Sequence, residues 1–130
     1  MDKSQTGIPG GEFLPCPDSP NCVSSMAEDK SHFIEPLKYA GMSGEDAFQR
    51  ILTILEAEPR CRVITAEKDS PAYIHAEFRS RIFRFVDDVE FLLIPKDQLI
   101  HVKSASRLGY SDMGVNRKRV EHLRAEFHRN

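Results

Sequence analysis

The chain has 130 residues, of which 40% are hydrophobic and 29% are charged, a balance that fits one globular domain with a core. Its formal net charge of −2 excludes the strongly basic balance that draws a protein to nucleic acid or to an anionic membrane. No apolar run reaches the about 18 residues of a membrane-spanning helix and residues 1–6 lack the apolar centre of a secretory signal, so a cytoplasmic location is expected, with a periplasmic or envelope location as the alternative if a signal has been removed.

Regular secondary structure is not expected in the first third of the chain. Residues 1–12 are predicted to be a flexible leader, because glycine and polar residues dominate them. Residues 13–25 combine apolar anchors with three prolines, which favour ordered but irregular chain. Residues 26–42 are predicted to continue as irregular chain, and residues 13–130 are predicted to form a single domain.

The chain contains three cysteines, an odd number that fits a reduced compartment or one disulfide plus one free thiol. Cys16 and Cys22 are the candidates for a disulfide, which would close a small loop and add about 2 kcal/mol. The alternative is two ordinary thiols in a loop that proline orders. A two-cysteine metal half-site is less favoured, because the pair is widely spaced for zinc and needs two further ligands.

Two amphipathic helices are predicted at the two ends of the remaining chain. The first runs from Gly44 to Glu58, with Ser43 as its N-cap. The second runs from Asn116 to His128, and either Asn116 caps it or Asp112 caps an earlier start.

Between these helices the alternation of apolar residues predicts four strands, at Arg60–Glu67, Ala72–Ser80, Phe83–Ile94 and Leu99–Ser106. Turns are predicted at Lys68–Pro71 and Pro95–Gln98, and short turns favour antiparallel hairpins. The predicted class is therefore α+β. An antiparallel sheet of about four strands carries both helices on one face, in the order α-β-β-β-β-α, after the irregular segment that contains proline and cysteine.

The densest set of hydrogen-bond donors lies in Ser104–Arg119, and an acidic cluster lies in Asp87–Glu90. Because side chains alternate along a strand, Asp87 and Asp88 cannot both face the core. We expect the two stretches to meet in one network of ion pairs and hydrogen bonds. The candidate ligand-binding residues of this network are Asp87, Asp88, Arg107, Tyr110, Asp112, Asn116, Arg117 and Arg119.

Two interpretations of this network stay open. Arg107, Arg117 and Arg119 carry planar donor groups that suit phosphate or carboxylate, and a helix that starts near Asn116 adds free backbone N–H groups. These features predict an anion-binding site. Alternatively, Asp87, Asp88, Glu90 and Asp112 neutralise the arginines internally. The sequence favours the second interpretation, because a buried charge left unpaired is costly.

Other chemistry is weakly indicated by the sequence. His75, Glu77 and His101 lie on predicted strands and would form a metal site if they shared one sheet face, but a solvated polar face is the favoured interpretation. No metal and no cofactor is therefore predicted. The nucleophile motif G-x-S-x-G does not occur. The basic cluster Asn116–Arg119 lacks interleaved aromatic residues, so nucleic acid is not an expected partner.

The segment Leu14–Ser25, the acidic strand Phe85–Phe91 and the loop Ser104–Arg119 together resemble an uncharacterised family of bacteria and plastids, the domain of unknown function 1499. The resemblance covers nearly the whole chain from residue 14 and implies membership of that family. It implies no activity. Many relatives carry export or lipoprotein signals, and this sequence departs from them by lacking one.

The predicted function is a non-catalytic binding or interaction module, in which the arginine-rich stretch forms a polar site for a small anion or for an acidic segment of a protein partner. The alternative is an enzyme that acts on a small anionic substrate, with Asp87, Asp88 or Asp112 as the acid and Arg107 and Arg117 as binders. An enzyme requires these groups in a concave pocket with shifted pKa values. A structural network leaves them saturated by one another.

Overall fold

A computed structural model of the chain describes residues 5–69 and 71–129, and this part of the chain forms an antiparallel sheet with two helices. The predicted α+β class is confirmed. The strands are β1 Cys22–Ser24, β2 Leu37–Lys38, β3 Cys61–Glu67, β4 Ala72–Arg79, β5 Val86–Ile94 and β6 Leu99–Ser106. The helices are α1 Gly44–Ala57 and α2 Val115–Phe127, and short 3-10 turns lie at Pro9–Gly11 and Pro95–Asp97.

The sheet has the order β1-β6-β5-β4-β3, and β2 also pairs with β6. The four predicted strands correspond to β3 to β6, but the predicted strand count is too low. Cys22 lies opposite Ala105 and Leu37 lies opposite Ile100, so β1 and β2 both bond to the outer edge of β6. Strands of three and two residues are too short to produce an alternating pattern, and only their partner reveals them.

The limits of the predicted elements shift by a few residues. The strand predicted from Phe83 begins at Val86, and Arg84 has a left-handed φ of 61° that extended chain does not allow. The turn predicted at Lys68–Pro71 includes Ser70, which lies outside the described residues.

Both helix starts follow from local chemistry. The Ser43 hydroxyl accepts a hydrogen bond from the Asp46 backbone N–H at 3.0 Å, which confirms the predicted cap of α1. At α2 the Asp112 carboxylate accepts from the backbone N–H groups of Gly114 at 2.8 Å and of Asn116 at 3.0 Å. Gly114 itself has φ 80°, which glycine adopts without a steric penalty. Of the two predicted caps of α2, Asp112 therefore satisfies the backbone.

Both helices pack on one face of the sheet and form the hydrophobic core with it. On β4 the alternation predicted for Ile74, Ala76 and Phe78 places all three in this core. Ile51 of α1 and Leu123 of α2 are also buried there, at 2% and 3% exposure. The helix face of the sheet is therefore the apolar face that the sequence pattern predicts.

The other face of the sheet carries buried polar side chains, and the prediction of a solvated polar face is wrong. His75, Glu90 and Lys103 are 7%, 1% and 2% exposed. Two of them, Glu90 and Lys103, bond to residues 5–17, which we call the N-terminal arm. The Lys103 ammonium donates to the Leu14 carbonyl at 2.7 Å, and the Gly7 backbone N–H donates to the Glu90 carboxylate at 2.7 Å.

The N-terminal arm also contacts the sheet through an aromatic side chain and a disulfide. Phe13 packs with Leu92 and Tyr73 in a small second cluster, and a disulfide joins Cys16 to Cys22 at the start of β1. Residues 1–4 of the predicted leader lie outside the described residues, and the flexibility of the leader stays a prediction. No helix in the described part of the chain is long and apolar enough to cross a membrane.

Candidate functional site

The first of the predicted ion pairs lies on the face that the N-terminal arm covers. Arg107 donates to both oxygens of Asp88, from Nε at 2.8 Å and from Nη2 at 2.9 Å, and to Glu77 at 2.5 Å. His75 Nε2 lies 2.7 Å from Asp88 Oδ1. Burial acts to raise the pKa of Asp88, but the hydrogen bonds with His75 and Arg107 outweigh it and lower the pKa to about 2. Asp88 is therefore held as a carboxylate.

A second buried acid lies beside this pair. The Glu90 carboxylate accepts from the Tyr73 hydroxyl and from the Gly7 backbone N–H. Burial raises the pKa of Glu90, and the Tyr73 and Gly7 hydrogen bonds offset only part of that rise. Burial also lowers the pKa of Lys103, although Glu90 acts in the opposite direction. The two groups attach the N-terminal arm to the middle of the sheet.

Glu90→Gln is expected to remove a pH-dependent contribution to stability. The pKa of Glu90 is raised above its ordinary value of 4.5, so its contribution is fully present below the unfolded-state pKa and is lost as the pH rises through the folded-state pKa. The free energy of unfolding of the wild type, relative to that of E90Q, should therefore fall as the pH rises from about 4.

Urea denaturation of both proteins across this pH range measures the difference. Exposed Glu67 on β3 supplies the matched substitution, Glu67→Gln. A difference between wild type and E90Q that stays constant, or that grows with pH, would show that burial of Glu90 does not govern its protonation.

The second predicted ion pair lies on the helix face. Asp87 Oδ2 is 2.8 Å from Arg119 Nη1, and the Arg119 guanidinium also lies 4.8 Å from the centroid of the Phe78 ring. Asp87 and Asp88 are thus on opposite faces, as alternation along the strand requires. The acidic cluster therefore supplies one ion-paired carboxylate to each face of the sheet.

Asn116 is the centre of the hydrogen bonds on the helix face and is fully buried. Its Oδ1 accepts from Ser104 Oγ at 2.6 Å and from Arg119 Nη1 at 2.9 Å. Its Nδ2 donates to Ser106 Oγ at 2.9 Å, to Asp112 Oδ2 at 2.8 Å and to the Asn21 carbonyl at 3.2 Å. These bonds join α2, β6 and the segment before β1.

The remaining predicted residues lie elsewhere. Arg117 donates to the carbonyls of Phe33 at 2.9 Å and of Ser31 at 3.2 Å, where it holds irregular chain against α2. Tyr110 is 71% exposed on the loop before α2. The predicted set is therefore divided among the arm face, the helix face and the outer side of α2.

A cavity of about 200 Å³ lies beside the pairs on the arm face. Asp88 and Arg107, from the predicted set, line it together with Glu90 and Lys103. Sequence reasoning missed Lys103 as a lining residue of this cavity and Tyr73 as the partner of Glu90. The available signal was position along the strand, since Tyr73 shares a face with His75 and Glu77. That signal identifies neighbours only when the register between the strands is known.

The proposed metal ligands are only partly brought together. His75, Glu77 and Asp88 have ligand atoms within 4.8 Å of one another, but Arg107 bonds to both acids and supplies the positive charge that a metal would supply. His101 instead faces Ser25, with its Nδ1 2.9 Å from the serine hydroxyl. The described residues therefore do not assemble the predicted set of two histidines and one carboxylate.

A larger groove, of about 650 Å³, lies at the end of the sheet near the start of α2. We call it the loop groove, because residues 106–115 form one wall and residues 78–87 form the other. The lining residues that matter below are Arg60, Phe85, Leu108, Met113, Val115 and Lys118. Four of these are apolar and exposed, with Phe85 at 56%, Leu108 at 50%, Met113 at 85% and Val115 at 44%.

The acids of the loop groove already have partners. Asp87 pairs with Arg119, Glu58 pairs with His122 at 2.9 Å, and Asp112 caps α2. Within residues 5–69 and 71–129, neither Arg60 nor Lys118 forms a side-chain ion pair. The open charge of the groove is therefore positive.

Comparison with known proteins identifies a family model described as "Protein of unknown function (DUF1499)", which matches residues 12–127. This is the family that the three stretches of sequence predict. No curated protein and no solved structure matches the chain.

Proposed function

Because the chain belongs to the DUF1499 family, whose description names no function, we propose a function from its geometry: a non-catalytic binding module whose loop groove holds an acidic segment of a partner protein. The observation that carries this proposal is the combination of exposed apolar side chains and unpaired cations in one concave surface. Contiguous exposed apolar surface of this kind commonly marks an interaction site. The charge determines which segment fits it.

The chemistry of the partner segment follows from the lining residues. Leu108, Met113 and Val115 offer apolar contact to alternate side chains of an extended peptide. Arg60 and Lys118 offer hydrogen bonds and charge to carboxylates between them. An acidic segment with interspersed apolar residues satisfies both requirements, whereas a basic segment would meet like charge.

The test is a titration with a short fluorescent peptide in which glutamate and leucine alternate. We expect the peptide to bind, and we expect the double variant Leu108→Ser/Met113→Ser to weaken binding by about tenfold or more, because a few central side chains carry most of the binding energy of an interface and both changes remove apolar contact area. Lys118→Glu should also weaken binding, because it reverses the charge in the groove.

Two matched controls make the result specific. Ile82→Ser removes an apolar side chain that is 77% exposed but does not line the groove, and Lys96→Glu reverses an exposed charge on the opposite hairpin. Lys96 lies in the turn Pro95–Asp97 between β5 and β6, away from the groove. Neither Ile82→Ser nor Lys96→Glu should change the affinity for the peptide. Equal affinity for a peptide in which lysine replaces glutamate would overturn the proposal, and so would no binding of either peptide.

The enzyme alternative has one observation in its favour. Asp88 and Arg107 line the cavity of about 200 Å³ with Glu90 and Lys103, and burial shifts the pKa values of the last two. It ranks second because Arg107 is engaged by Asp88 and Glu77, and because Asp87, Asp112 and Arg117 do not line this cavity. Such a site would take a ligand whose binding is insensitive to changes in the loop groove.

The disulfide bears on the compartment. Disulfides persist in oxidising compartments and are rare in the cytosol, so the Cys16–Cys22 bond supports the periplasmic or envelope alternative over the cytoplasmic expectation. A partner protein would then be sought in the same compartment.

A further inference from the structure

We propose that four arginines at the open edge of the sheet form a binding site for a phosphate-class oxyanion. The site is a cavity of about 220 Å³ at the start of β3, the end of β4 and the loop before β5. We call it the arginine pocket, and its lining residues are Arg60, Arg62, Arg79, Arg84, Cys61, Glu77 and Ser80. None of these arginines belongs to the set that the sequence predicted as ligand-binding.

Strand pairing brings these arginines together. Arg62 lies opposite Glu77 in the β3–β4 pair, and the Arg79 backbone N–H donates to the Arg60 carbonyl at 3.0 Å. Arg84 comes from the loop that returns to β5. Arg60 and Arg84 have φ 57° and 61°, a left-handed conformation that L residues other than asparagine and aspartate seldom adopt. The chain thus bends on both sides of the pocket, with arginine at each bend.

The charges of the pocket do not balance. Four arginines and one acid, Glu77, line the pocket, and Glu77 already pairs with Arg107 at 2.5 Å and with Arg79 at 3.5 Å. In the described part of the chain, Arg60, Arg62 and Arg84 form no ion pair. Like charges that converge on one concavity raise the local positive potential and favour an anion there.

The donor geometry selects the class of anion. Guanidinium groups form paired, parallel hydrogen bonds with phosphate and carboxylate oxygens. Three arginines without an ion pair exceed the single charge of a carboxylate and better match a phosphate, which carries about −1.5 to −2 near pH 7. Burial, with a contribution from Glu58, raises the pKa of the Cys61 thiol to about 11, so this neighbour stays neutral and does not supply the anion.

The pocket lies next to the loop groove and shares part of its lining. Arg60, Arg79 and Ser80 line both, whereas Arg62 and Arg84 line the arginine pocket alone. A phosphate ester bound in the pocket would therefore direct its organic group toward the groove, while free phosphate would need the pocket only. The proposal does not depend on the peptide site.

The test is a titration of the full chain with inorganic phosphate, followed by amide chemical shifts in ¹H–¹⁵N spectra at constant ionic strength. Shifts are expected for residues 60–62 and 79–84. The double variant Arg62→Gln/Arg84→Asn should weaken phosphate binding by about tenfold or more, since each change removes hydrogen bonds between charged groups. Asparagine is used at 84 because it tolerates the left-handed backbone.

Arg81→Gln is the matched control, because Arg81 is an exposed arginine of the same loop that does not line the pocket. It should leave phosphate binding unchanged, and thermal unfolding checks that all variants are folded. Repeating the titration with phenyl phosphate shows whether the ligand is a phosphate ester or free phosphate. Tighter binding of phenyl phosphate than of inorganic phosphate supports an ester, and equal binding supports the free ion.

Two results would overturn the proposal: no shifts of residues 60–62 and 79–84 with either probe, or an R81Q variant that loses as much affinity as the double variant. The double variant also separates this site from the loop groove. It should still bind the glutamate–leucine peptide, so a failure of one site is measured independently of the other.

Discussion

Asp88→Asn is expected to lower the free energy of unfolding by about 3 kcal/mol at neutral pH, because the buried carboxylate makes charge-assisted hydrogen bonds with both Arg107 and His75, and asparagine weakens or removes them. Asp88 is 5% exposed and accepts two hydrogen bonds from Arg107. Asparagine keeps the shape and one acceptor but loses the charge, so Arg107 keeps its ion pair with Glu77 but loses the one with Asp88. Urea or guanidinium denaturation of the folded chain measures the difference.

The effect of Asp88→Asn has a defined pH dependence. The pKa of Asp88 is lowered from 3.8 to about 2 in the folded state. Its contribution to stability is therefore present above the unfolded-state pKa and is lost as the pH falls through the folded-state pKa. The gap in free energy of unfolding between the wild type and D88N should be full at about pH 6 and should close as the pH falls toward about 2.

Asp87→Asn is the matched control, because the two aspartates are adjacent and belong to the same strand. Arg119 keeps Asn116, Ser104 and the Phe78 ring when Asp87 loses its charge, so this change should cost about 1 kcal/mol. A D88N protein as stable as the wild type, or a D87N protein destabilised more than D88N, would contradict the assignment of the stronger pair to the arm face.

The contrast between Asp87 and Asp88 also shows what sequence reasoning can supply. Alternation along a strand is a local property, so the sequence alone predicts that the two carboxylates point to opposite faces. The partner of each acid is not local. Asp88 meets Arg107 because β5 and β6 align Asp88 with Ala105, and a shift of one residue in this register would exchange the faces.

The burial of the arm face could not be predicted, for a different reason. Alternating apolar and polar residues on β4 normally indicate one buried and one solvated face. Here the N-terminal arm covers the polar face, and it does so through the Leu14 carbonyl and the Gly7 N–H. Every residue carries a backbone carbonyl, and every residue except proline carries a backbone N–H, so no sequence pattern marks the ones that will meet a buried lysine or glutamate.

Arg117 illustrates the same limit at the candidate site. Its side chain suits an anion, and the sequence leaves that use open beside the favoured interpretation, an internal ion pair. In the fold its donors are taken by the carbonyls of Ser31 and Phe33, in a segment with little secondary structure of its own. An irregular segment leaves carbonyls unpaired, and a nearby arginine satisfies them. Within residues 5–69 and 71–129, the arginines that form no ion pair include Arg60, Arg62 and Arg84, which line the arginine pocket.

Asn116→Leu is expected to lower the free energy of unfolding by about 3 kcal/mol. Leucine has a similar size but no polar atoms, so several buried polar groups would lose their hydrogen-bond partner. The Asn21 carbonyl and the hydroxyls of Ser104 and Ser106 each bond to Asn116. A water molecule could replace the lost hydrogen bonds only if there were room for it, and the isobutyl group of leucine occupies that room.

The control for Asn116→Leu is Lys118→Leu, two residues further along α2, where the side chain is exposed. Leucine and lysine have similar helix propensities, so this change should alter the free energy of unfolding by less than about 0.5 kcal/mol. Guanidinium denaturation measures both variants. If Asn116→Leu were as harmless as Lys118→Leu, the asparagine would not hold α2 to β6, and the walls of the loop groove would have to be fixed by apolar packing alone.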